Sequence, residues 1–150
     1  MRIYLPATFT TLASALADGG FRDAPYTAYA VTPALRAAVG TDDEEELEYA
    51  AMSMAADASL RMLAADPEAP ARRVVIAAEL PERIVHPVAE AETPGQVRID
   101  GVVPLKRIAS AHIDDEAAAP DIKAGRTEEH ELLWYATQEL RYLLEDPTTA

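Results

Sequence analysis

Val74-Val75-Ile76-Ala77-Ala78 is the stretch that most restricts the fold of this chain. It lies inside the segment Arg73 to Leu80 and shows none of the alternation of a half-exposed strand. A continuous apolar run of this length reads as an inner strand covered on both faces. The remaining sequence has to supply the elements that cover it.

That supply is lean. The chain has 150 residues, of which 49% count as hydrophobic. Alanine inflates the figure. Leu, Ile, Val and Phe together make up about 21%, just above the roughly 20% level at which a highly charged chain is suspected of disorder. Periodicity decides against disorder, because the few large apolar residues gather into strands and helix stripes with caps at the right places. The length suits one domain spanning residues 1–150.

Ile3 and Leu5 alternate with Arg2 and Tyr4, which predicts a first strand ended by Pro6. Thr8 caps a helix carrying Leu12 and Leu16, and Gly19-Gly20 stops it. Tyr26 to Val31 reads as a second strand. Thr32-Pro33 opens a short helix that ends near Gly40. Thr41-Asp42-Asp43 with Glu44, Glu45 and Glu46 places acids at the positive end of a longer helix reaching about Asp66. Leu47, Ala51, Met54, Ala58 and Met62 fall on one side of that helix, and Tyr49, Met52, Ala56, Leu60 and Leu63 on the other. A helix apolar on two sides is buried between neighbours or shared with a partner.

Ile84-Val85 forms a short extended piece among prolines. Val97 to Ile99 and Val102-Val103 flank Asp100-Gly101, a hairpin signal. Ile108 to Ile113 is another strand, and Ala117 to Gly125 reads as a flexible connection. Thr127 is read as the cap of a closing helix, with Glu128, Glu129 and Glu131 in its first turn. Its apolar stripe is Leu132, Leu133, Ala136, Leu140, Leu143 and Leu144, and Pro147 follows its end. The order β-α-β-α-α-β-(β-β)-β-α predicts an α+β fold: a two-layer sandwich of a mixed sheet with helices packed on it.

Thirteen basic and 26 acidic side chains leave a formal charge of -13. This repels phosphate backbones and anionic lipid, so neither nucleic acid nor membrane is an expected partner. A basic protein partner is compatible. The lack of cysteine removes thiol nucleophiles and Cys-ligated zinc. Ala15-Leu16-Ala17 imitates a signal-peptidase site, but Pro6, Thr8, Thr10 and Thr11 interrupt the apolar region such a signal needs. A cytoplasmic location is expected.

Ser110, His112 and Asp114 share a strand face and offer a nucleophile, a base and an acid. Side chains at i,i+2 start roughly 6.5–7 Å apart and run parallel, so an exposed polar strand face is the better reading. His112, Asp114 and Asp115 with His130 and Glu129 include metal-ligand types but lack a compact ligand spacing. Asp42 to Glu48 lacks the pattern of a calcium loop. Neither Gly-x-x-x-x-Gly-Lys-Ser/Thr nor Gly-x-Gly-x-x-Gly occurs. No catalytic, metal or cofactor residue is assigned.

The candidate contact surface is His112, His130, Trp134, Tyr135, Gln138 and Arg141. On a closing helix, His130, Trp134 and Arg141 line one flank of the leucine stripe. Glu131, Tyr135, Gln138 and Tyr142 line the other. Aromatic residues and Arg beside an apolar stripe suit contact hot spots, and equally the polar rim of a core.

Four strings carry a family resemblance: Met1 to Thr8, Thr27 to Arg36, Glu45 to Ala51 and His130 to Leu140. They resemble a small uncharacterised actinobacterial family, a domain of unknown function. The resemblance implies a cytoplasmic bacterial protein and brings no activity with it. Frequent alanine and arginine, with only two lysines, fit a GC-rich coding source. The sequence therefore leads to a non-enzymatic domain acting through protein contacts, as a homodimer. The alternative is a small-molecule or metal-dependent enzyme with a pocket between the C-terminal helix and the strand ending at His112.

Overall fold

The apolar run of residues 74–78 forms the centre of a seven-stranded sheet. The computed structural model describes residues 1–89 and 91–145. Its elements are β1 (Arg2–Ala7), α1 (Phe9–Asp18), β2 (Gly20–Phe21), β3 (Tyr26–Tyr29), α2 (Pro33–Val39), α3 (Glu44–Ala65) and β4 (Val74–Glu79). Then follow β5 (Val85–Pro87), β6 (Gln96–Ile99), β7 (Val103–Pro104), β8 (Ile108–Ile113), α4 (Ala119–Lys123), β9 (Leu133–Tyr135) and α5 (Leu140–Glu145). The main sheet runs β5-β6-β3-β1-β4-β8-β9, and β2 pairs with β7 separately.

The fold is α+β, with two differences from the sequence expectation. Every strand pairing among the described residues is antiparallel rather than mixed. Helices also cover both faces, so there are three layers instead of two. Arg2 and Glu79 apart, both alternating sets of side chains in β1 and β4 are buried or half-buried. Ile3, Leu5, Val74 and Ile76 pack with Phe9 and Leu12 of α1 and Leu140 of α5. Tyr4, Val75 and Ala77 pack with Leu35 of α2 and Leu47, Ala51 and Ala55 of α3. A strand apolar on both faces needs a layer on each side.

The caps of α1 and α2 work as the sequence suggests. Thr8 and Thr11 form a reciprocal capping box, and Gly19 ends α1 at φ 81°. Thr32 caps α2 with Pro33 following it, and Asp43 caps α3 by accepting from the backbone of Glu45. Ser59 ties α3 to the sheet. Its hydroxyl donates to the Ala7 carbonyl at 2.7 Å and accepts from the Val74 amide at 3.0 Å.

Three local expectations fail for identifiable reasons. Asp100-Gly101 makes no hairpin: β6 pairs with β3 and β5, while β7 pairs with β2. Gly101 lacks the positive φ that a tight hairpin turn requires. It instead leaves room for Ile84, whose side chain lies 3.3 Å from where a Cβ would stand. Residues Ala117 to Gly125 are not a flexible connection but a 3-10 turn running into α4. Pro120 is tolerated in the first turn of α4, and Ile122 is buried.

The largest correction concerns the C-terminus. The helix read from Thr127 does not form. Leu133–Tyr135 is β9, paired with β8, and only Leu140–Glu145 is α-helical after a turn at Thr137–Glu139. Pairing with an otherwise open sheet edge outweighs the local helical spacing, as aromatic residues suit a pleated, half-covered surface. Pro147 lies outside the described residues.

Candidate functional site

β8 and β9 meet with His112 across from Trp134 and Ile113 across from Leu133. The pocket expected between a C-terminal helix and the strand ending at His112 therefore has no place there, because the two segments adjoin as paired strands. A register shift between Ala77 and Ala78 puts Ser110 beside Ala77 and Ile108 beside Ala78. Ser110 and His112 lie before that shift, pair regularly with Ala77 and Val75, and so share the face that α3 partly covers. The expected exposed polar face is not found: Ser110 and Asp114 are buried and His112 is half-buried.

Ser110 Oγ and His112 Nε2 lie 3.0 Å apart. Parallel side chains at i,i+2 would leave these groups apart, but the long imidazole leans along the strand and brings them together. Burial, and then the positive charge of Arg2, hold the His112 pKa below its ordinary value. Asp114 does not complete a triad. It is engaged by Arg73, whose guanidinium binds both carboxylate oxygens, at 2.8 and 2.9 Å.

His130 has a different set of partners. Its Nε2 lies 2.8 Å from Asp121, and its carbonyl accepts from Arg73 at 3.1 Å. Asp121 also binds Arg126 at 2.9 Å. Hydrogen bonds from His130 and then from Arg126 hold the Asp121 carboxyl below its usual range. Together these bonds fasten residues 121–130 to the ends of β4 and β8. The two histidines thus serve separate networks. Among the described residues, no three or more His, Asp or Glu side chains are grouped to hold a metal ion.

The six-residue contact surface is divided. His112 and Trp134 are cross-strand neighbours on one face. Tyr135 points to the opposite face and packs against the α1 core. Gln138 lies in the 3-10 turn and Arg141 on α5, both exposed. The flanks drawn along a helix do not exist, since residues 130–135 are extended or irregular.

The structure adds two features the sequence reading missed. The first is the outer edge of β9, where Leu133 is 44% and Trp134 60% exposed. The second is a cleft of about 900 Å³ between the C-terminal half of α3 and α4. Its signal was present in Leu60 and Leu63, on the second apolar side of α3. Among the described residues no helix is long and apolar enough to cross a membrane.

A family model described as a family of unknown function (DUF6912) matches residues 1–144. No curated protein and no solved structure matches the chain.

Proposed function

We propose that this chain, which belongs to the family of unknown function DUF6912, is a non-enzymatic cytoplasmic domain that self-associates through β9. An actinobacterial source is part of the same reading. The observation that carries it is the contrast between the two sheet edges. At one edge β5 contains Pro87 and is flanked by Pro81 and Pro94, which blunt strand addition. At the other edge β9 carries Leu133 and Trp134 exposed, without a charged residue in the strand.

An unprotected edge offers backbone donors and acceptors to a further strand. A second copy of the chain is the fitting occupant, because an antiparallel pair of β9 strands is self-complementary about a two-fold axis. The axis would bring the two Trp134 side chains together. The uncharged strand leaves the overall charge of -13 little chance to repel at the centre of the contact. Acidic surface elsewhere keeps the assembly soluble.

Light scattering across micromolar concentrations tests this. A dimeric mass is expected for the unaltered chain and a monomeric mass for L133K/W134K. A monomer at every concentration overturns the proposal.

A further inference from the structure

We infer that the cleft between the C-terminal half of α3 and α4 binds a small molecule with an apolar body and an anionic head, such as a medium-chain carboxylate. Its volume, about 900 Å³, falls within the roughly 300–1,000 Å³ typical of small-molecule sites. Leu60 and Leu63 from α3 and Pro120 and Ile122 from α4 line it. Leu60 and Leu63 are half-buried and stand outside both hydrophobic cores. They therefore do not owe their apolar character to packing against the sheet.

The charge of the lining is the second observation. Acidic residues outnumber basic ones 26 to 13 in the chain, yet no carboxylate side chain lines the cleft. Its two charged lining residues are both cations, Arg61 and Lys123. Lys123 makes no ion pair among the described residues. Arg61 has only a long contact, 3.5 Å, to the Tyr29 hydroxyl. An apolar trough with two cations and no acid favours an anion over a cation, and a ligand with an apolar portion over a bare ion. This site is separate from β9, so dimerisation and ligand binding succeed or fail independently.

Calorimetric titration of the full chain with octanoate, decanoate and decanol, below micelle-forming concentrations, tests the inference. Decanoate is expected to saturate at one equivalent per chain. Each added methylene should tighten binding by about fourfold if the chain is buried. Decanol should bind at least about tenfold more weakly, for want of the charge interaction. R61E/K123E alters two exposed side chains and should keep the native circular dichroism while weakening decanoate by about tenfold or more. A64W should block the cleft, with L133K/W134K binding like the unaltered chain. Absence of saturable decanoate binding overturns the inference. So does equal affinity for decanol, or unchanged affinity in R61E/K123E and A64W.

Discussion

Arg73 and Asp114 form a buried, two-pronged ion pair in which the carboxylate also accepts from the backbone amide of Arg73 at 2.8 Å. This pair joins the start of β4 to the end of β8. Through the His130 carbonyl it also holds the chain entering β9. The edge strand thus depends on a polar lock beneath it.

Removing one partner leaves the other charge buried and alone. D114A and R73M should each lower unfolding free energy by about 3–5 kcal/mol. R73M/D114L should recover much of that loss, since an apolar pair leaves no isolated charge. Urea unfolding of the four proteins measures the cycle. Additive losses in the double variant would contradict this account. Arg72 provides a contrast. It stacks 4.6 Å over Phe9 and donates to the Asp114 carbonyl, but its buried Nη1 has no hydrogen-bond partner. R72M should therefore cost less than R73M.

Gly20 is expected to resist substitution for a backbone reason. Its φ is 156°, and an added Cβ would stand 2.5 Å from the Val103 carbonyl oxygen and 2.8 Å from the Pro104 Cα. Both obstacles are main chain and cannot swing aside. G20A should destabilise the chain by about 1–3 kcal/mol, with loss of amide protection concentrated in β2 and β7. Hydrogen exchange reads the location, and unchanged protection there would refute it.

Ser59 links α3 to β1 and β4 through one hydroxyl. S59A removes both hydrogen bonds at a fully buried site and should cost about 1–3 kcal/mol. S59C keeps the volume more closely but is a weak donor and acceptor, so it should recover little. Chemical denaturation separates these outcomes. Full recovery by cysteine would mean that volume, rather than hydrogen bonding, decides.

His112 makes stability depend on pH in a defined direction. Its folded pKa lies below the ordinary 6.5, mainly because burial disfavours the charged ring. Between the folded and unfolded values the unfolded chain binds more protons, so stability rises with pH in that window. Acidification below 6.5 should weaken the fold until the folded pKa is passed. H112Q should flatten this part of the profile. Urea midpoints measured from neutral to mildly acidic pH test it. An identical slope in H112Q would count against a half-buried neutral imidazole.

Trp134 offers a spectroscopic check on the proposed dimer. It is the only tryptophan and is 60% exposed in the single chain. Its emission should shift to the red on dilution as the pair of β9 strands separates. In L133K the spectrum should be red-shifted at all concentrations. A concentration-independent spectrum in the unaltered chain would remove Trp134 from any self-contact.

Sequence by itself determined what depends on neighbours a few residues away. Thr8 and Thr32 cap helices because a cap is a local hydrogen bond. Residues 74–78 form a covered strand because unbroken apolar character needs shielding on both faces. Tertiary structure alone decided the rest. Leu132 to Leu144 carries a helical spacing, yet Leu133–Tyr135 becomes a strand because β8 presents a free edge far away in sequence. Asp114 looks like a strand-face acid beside His112 until Arg73 arrives from β4 and claims it. Leu60 and Leu63 suggest a helix shared with a neighbour, and α4 turns their side into a cleft. Strand pairing, ion-pair choice and cavities rest on contacts between distant segments, and local periodicity carries no record of which segment arrives.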